Sequence, residues 1–183
     1  MATRNALVTD VLSRICNRDD LVAYVTKEKE KGSTVVLANG CFDVLHVGHI
    51  RYLQGAKAQG DLLVVGINSD RQVAVLKGRG RPIMADTARA EMVASVAAVD
   101  FVTVFEEPTV ANLLLAIQPD IHAKGTDYTE ETVPEREVVR SYGGRVAIVG
   151  DPKNHSTSEI LDKMESAPGT SETAHPSHNH KQR

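Results

Sequence analysis

Residues 38–49 read ANGCFDVLHVGH and decide how the rest of the chain is read. Just before them, Thr34-Val35-Val36-Leu37-Ala38 is a short apolar, β-branched run of the kind that makes a buried strand. Asn39-Gly40 breaks the run, and Cys41, Phe42, Asp43, His46, Gly48 and His49 follow. After these comes a periodic segment, Ile50 to Ala58, that reads as a helix. Two imidazoles and a glycine therefore lie at a helix start just past the carboxyl end of a strand. Open α/β sheets bind ligands at that position. Unpaired backbone N–H groups and the positive end of the helix dipole favour phosphate there.

Two plainer readings stand beside that one. His46 and His49 are spaced like half of a metal site, but there is no HExxH pattern and no third ligand at matching spacing. Each could also be an ordinary core or surface histidine, although two of them bracketing a glycine at a strand-to-helix turn fit that less well.

The chain has 183 residues, enough for one domain of ordinary size with a sizeable core. Its 42% hydrophobic and 25% charged residues are the balance of a soluble globular protein. A net charge of −3 gives no global basic field for nucleic acid, so a phosphate ligand has to be held by local groups. Cys16 and Cys41 imply no disulfide framework. The first twenty residues carry interspersed charges and no apolar core of a secretory signal, and no apolar run approaches membrane-spanning length. The cytoplasm is the expected location.

From Thr34 onward strands alternate with helices. Strands are expected at 34–38, 62–67, 101–105, 120–124 and 145–149. Helices are expected at about 48–59, from Ser69 or Asp70 toward Lys77, at 87–98 with Asp86 as cap, at 109–117 and at 131–141, with a last one beginning near Ser156. Strands separated by helices imply crossovers and a parallel sheet, hence a doubly wound α/β domain. Residues 5–30 read as one or two amphipathic helices. The stretch from about Ala167 is polar, rich in Pro, Ser and His, and reads as a disordered tail.

In order, the blocks NGCFDVLHVGHIRYLQGAKAQGD, VVGINSD, LKGRGRPI, DTARAEMVASVAAVDFV, PDIHAKGTDYTEE and HSTSEI resemble the HxGH nucleotidyltransferase family over roughly residues 18–165. NGCFD together with KGTDY is most similar to the branch that adenylylates D-glycero-β-D-manno-heptose 1-phosphate. The resemblance implies a Rossmann-like doubly wound parallel sheet, and with the periodicity and composition already described it divides the chain into an N-terminal helical segment 1–32, a nucleotidyltransferase domain 33–166 and a tail 167–183. It implies a reaction of ATP with a sugar 1-phosphate, with Mg²⁺ carried by the triphosphate rather than by a protein cage. The competing reading within the family is a cytidylyltransferase acting on glycerol 3-phosphate or another small phosphorylated alcohol. The resemblance also implies a homodimer, for which the helices within 5–30 are the candidate contact, and neither nucleic acid nor membrane is expected as a partner.

Such chemistry needs in-line positioning and stabilisation of developing charge rather than a covalent nucleophile. By resemblance His46, His49 and Lys77 are the catalytic residues. Nucleotide binding falls to Asn39, Gly40, Cys41, Phe42, Gly48, Arg89, Lys124, Gly125, Asp127, Ser156, Thr157 and Ser158. The second substrate falls to Asp43, Asn68, Asp127 and Tyr128. Plainer roles remain for several of these. Phe42 suits a core, and Asp43 suits either a helix cap or a water-mediated Mg²⁺ shell. Arg89 suits a surface pair with Glu91, and Ser156-Thr157-Ser158 suit a helix cap. Lys77 is favoured over Arg79 as the phosphate-reaching cation of the basic loop. His122 stands where an aliphatic residue would suit a buried strand. Lys153-Asn154-His155 departs from the arginine and glycine-isoleucine pair of related cytidylyltransferases.

Overall fold

A computed structural model describes residues 11–151. Five strands, β1 (Val35–Gly40), β2 (Leu62–Asn68), β3 (Phe101–Phe105), β4 (Ile121–Gly125) and β5 (Arg145–Val149), form one sheet. All are parallel, in the order β3-β2-β1-β4-β5. The helices are α1 (Arg18–Glu30), α2 (Val47–Lys57), α3 (Asp70–Lys77), α4 (Asp86–Ala94), α5 (Ala111–Ile117) and α6 (Arg136–Ser141). The doubly wound α/β expectation is met.

The apolar run of β1 is continuous because both faces of the sheet are covered. Alternate residues leave on opposite sides. Val36 and Ala38 join a cluster with Leu53 and Ala56 of α2 and Ala90 and Val93 of α4. Val35 and Leu37 join another with Leu21 and Val25 of α1, Leu113 and Leu114 of α5 and Val139 of α6. The apolar face of α1, considered above as a dimer contact, is thus spent inside the chain's own core. Among the described residues no helix is long and apolar enough to cross a membrane.

Three local expectations shift. Asp86 is the first residue of α4 rather than its cap, and its carboxylate instead accepts the backbone N–H of Asp70 at 3.2 Å. That helix stops at Ala94, short of 98. α6 begins at Arg136 rather than 131. Pro134 lacks an N–H and biases Val133 away from helical backbone, and Thr132 Oγ1 takes the Thr129 N–H at 2.8 Å in a local turn.

The sheet order locates the ligand crevice. From β1 the chain moves outward to β2 and β3, then returns to the other side of β1 for β4 and β5. Pairing between β1 and β4 runs from Val36↔Ile121 to Ala38↔Ala123. Beyond it, at the carboxyl ends, the segments after β1 and β4 diverge. This is the topological switch point, where doubly wound sheets take their ligands.

Candidate active site

A cleft of about 580 Å³ opens at that switch point. It is lined by Asn39, Gly40, Cys41, Phe42 and Asp43 from the end of β1, and by His46, Gly48 and His49 from the start of α2. Lys124, Gly125, Asp127 and Tyr128 at the end of the neighbouring β4 also line it, and Asn68 and Lys77 contribute from β2 and α3. The structure therefore brings together most of the residues singled out in the sequence. Ser156, Thr157 and Ser158 lie outside the described residues, as do Lys153 and the tail.

His46 is the N-cap of α2, on extended backbone (φ −137°, ψ 170°). Its backbone N–H donates to His49 Nδ1 at 3.4 Å, so His49 fills the role that Glu or Gln has in a capping box. An accepting Nδ1 leaves the ring proton on Nε2. The two rings stack with centroids 3.8 Å apart. Burial, then the neighbouring His46 and Lys77, push the His49 pKa down to about 4. At neutral pH His49 is thus an uncharged hydrogen-bond donor at a helix N-terminus.

Phe42 supports this pair. Its ring centroid is 5.2 Å from that of His49, and it is 3% exposed, so the core reading and the site reading of Phe42 hold together. Its backbone takes φ 49°, a left-handed conformation that a bulky residue adopts only when its surroundings enforce it. Gly40 makes room, because a Cβ there would stand 3.1 Å from the Phe42 ring.

Asp43 neither caps the helix nor offers free oxygens to a metal shell. Its carboxylate is 2% exposed and accepts hydrogen bonds from Arg81 Nε, Ile83 N–H (2.7 Å) and Met84 N–H (3.1 Å). It pins the basic loop after α3 against the cleft. Lys77 lines the cleft, as does Arg81, whereas Arg79 does not.

Arg89 departs from both readings made of it. It is wholly buried and does not line the cleft. Its guanidinium donates to the carbonyls of Met84 (3.0 Å), Cys41 and Asn68 (2.8 Å) and to the Asp70 carboxylate (2.8 Å). It ties the ends of β1 and β2 to the loop before α4. A five-donor fork suits that task, and a sequence does not reveal which carbonyls converge on it.

At the end of β4, Lys124 Nζ lies 3.3 Å from Asn39 Oδ1, 3.7 Å from Glu135 Oε2 and 4.9 Å from the centre of the Tyr128 ring. Desolvation lowers its pKa, opposed by Glu135. Tyr52 of α2 donates to Ala123 O at 2.8 Å, joining the His46-bearing helix to β4. Tyr52, Glu135, Pro108-Thr109-Val110 and Gly150-Asp151 line the cleft without having been singled out in the sequence. The last two groups follow β3 and β5, and the strand-end rule applied to every strand would have found them. Among the described residues no group of three or more His, Cys, Asp or Glu side chains converges in a metal-binding arrangement.

Residues 37–172 match the cytidylyltransferase-like family. The chain belongs to that family. With it, the chain is placed among the nucleotidyltransferase enzymes. Among curated relatives, the bifunctional protein HldE of Pelobacter propionicus is 47% identical over 156 residues, covering 85% of this chain and 32% of the relative. The HldE protein of Geotalea uraniireducens is 49% identical over 152 residues, covering 83% and 31%. The chain thus spans about a third of the length of these family members. A crystal structure of a lipopolysaccharide core biosynthesis protein from Thermoplasma volcanium superposes with a TM-score of 0.57 at 28% identity, covering 66% of this chain and 99% of that one.

Proposed function

We propose that the chain transfers AMP from ATP to D-glycero-β-D-manno-heptose 1-phosphate, giving ADP-heptose and pyrophosphate. The observation that carries nucleotidyl transfer is the stacked His46–His49 pair at the N-terminus of α2, facing a switch-point cleft of about 580 Å³. The choice of substrates is supported by the NGCFD and KGTDY blocks, which are similar to the heptose branch and both line the cleft.

In this reading a phosphate oxygen of the sugar attacks the α-phosphorus of ATP. One P–O bond forms there, the bond to the bridging oxygen of the β-phosphate breaks, and pyrophosphate leaves with that oxygen. His46 and His49 donate to phosphate oxygens as charge shifts onto them, and Lys77 adds a compact positive charge. Lys124 and Asp127 receive the sugar phosphate and its hydroxyls, with Tyr128 as an amphipathic wall. Asn68, at the end of β2, lines the same cleft beside Cys41, whose Sγ donates to its Oδ1 at 3.8 Å. Mg²⁺ would neutralise charge on the triphosphate. It is assigned to ATP and water because Asp43, the most buried carboxylate of the cleft, already has its oxygens engaged.

The test is pyrophosphate release from ATP, CTP and GTP against a panel of phosphate esters. The highest kcat/KM is expected for ATP with the heptose 1-phosphate. A site that hydrogen-bonds several hydroxyls discriminates strongly against esters lacking them. A clear preference for CTP with glycerol 3-phosphate would overturn both substrate assignments.

A further inference from the structure

His122 has no solvent exposure and sits inside β4, yet its Nδ1 is buried without a hydrogen-bond partner. An orphaned buried nitrogen is unfavourable, and an aliphatic side chain would fill a parallel strand at less cost. The other ring nitrogen does have a partner, since Nε2 lies 3.1 Å from Asn39 Oδ1. Lys124, two residues along the same strand face, places Nζ 3.3 Å from that same atom. A lysine ammonium only donates, so the Asn39 atom between them is the amide oxygen, and His122 Nε2 carries the ring proton. Burial and the adjacent Lys124 push the His122 pKa down to about 3, which keeps the ring neutral in that tautomer. Two donors thus fix the oxygen of Asn39, a residue of the cleft wall, and its NH₂ group is the end left for a ligand.

We propose that His122 is a positioning residue for nucleotidyl transfer: it locks the Asn39 amide so that its nitrogen is presented to an acceptor oxygen of the bound nucleotide while its oxygen holds Lys124 in place. This rests on the cleft being the nucleotide site. The arrangement depends on the strand order. Leu37 is registered opposite His122 and the β1–β4 ladder ends one pair later, so the Asn39 and Lys124 side chains meet where the strands part. His122 itself does not line the cleft and acts only through Asn39.

The test compares wild type with His122→Leu, which keeps volume and removes the donor, and His122→Gln, whose amide nitrogen reaches the place of Nε2. Melting temperature, calorimetric affinity for Mg-ATP and pyrophosphate release are measured for each. Losing one positioning hydrogen bond is expected to lower Mg-ATP affinity and kcat/KM by about tenfold in His122→Leu, with melting at or above the wild-type temperature. His122→Gln is expected to recover most of the loss. A folded His122→Leu with wild-type affinity and turnover, or a Gln variant no better than Leu, overturns the proposal. Nitrogen-15 NMR of the wild-type ring gives a reading that needs no variant: the Nε2–H tautomer is required, and Nδ1–H overturns the assignment. Wild-type protein that neither binds Mg-ATP nor releases pyrophosphate from any nucleotide would instead defeat the reading of the cleft, and this inference with it.

Discussion

His49 and His122 are both held neutral by burial, and this has a thermodynamic consequence. Their pKa values lie near 4 and 3 in the folded chain, below the ordinary 6.5. Between those values and 6.5 the unfolded chain binds more protons, so stability rises with pH there. The contribution is complete above about pH 6.5 and is lost as pH falls toward 4. For His49, flanked by His46 and Lys77, it is on the order of a few kcal/mol, since each tenfold loss of proton affinity is worth about 1.4 kcal/mol. Thermal melts should therefore show a falling midpoint from pH 6.5 to 4, and His49→Gln and His122→Leu should each flatten that limb. An acid limb of unchanged slope in both variants would show that other groups carry it. The two site imidazoles were legible in the sequence because a motif places them. The partnership of His122 with Asn39 was not, because it joins residues 83 apart through a neighbouring of strands that no local pattern encodes.

The helices do different work at the site. α2 presents its N-terminus to the cleft, and Tyr52 fastens its body to β4. α4 contributes Arg89, whose donors hold the ends of β1 and β2 and Met84 in the loop before α4 in a fixed relation. Replacing Arg89 by Met leaves buried carbonyls without donors and is expected to cost about 3–5 kcal/mol of stability. The melting temperature should fall by many degrees. Direct phosphate binding by Arg89 would give the opposite pattern, a raised KM for ATP on a protein of nearly wild-type stability. The sequence placed these helices within a few residues because their apolar spacing is local information. It misplaced the start of α6, where Pro134 decides, and the role of Arg89, where distant carbonyls decide.

For the whole molecule, the strand order is what turns separate motifs into a site. Placing β4 beside β1, after β2 and β3 have been laid down on the other side, brings the HVGH turn and the KGTDY loop into one cleft. Alternation of strand and helix made the doubly wound class legible. The loops after β3 and β5 carry no motif, so only the strand-end rule, extended to every strand of the sheet, marks them. If the metal travels with the nucleotide, EDTA should abolish turnover and Mg²⁺ should restore it, while the melting temperature of the nucleotide-free protein stays the same in both conditions. A melting temperature that drops with EDTA would point to a metal held by the chain itself. In the proposed reaction the stacked imidazoles drive AMP transfer. The most direct measurement is steady-state pyrophosphate release from ATP and the heptose 1-phosphate by wild type, His46→Ala and His49→Ala, with folding checked by thermal melts. Equimolar ADP-heptose and pyrophosphate are expected from wild type, and each folded variant should lose a factor on the order of 10²–10³ in kcat. Near-wild-type release by either folded variant would contradict the role assigned to that histidine.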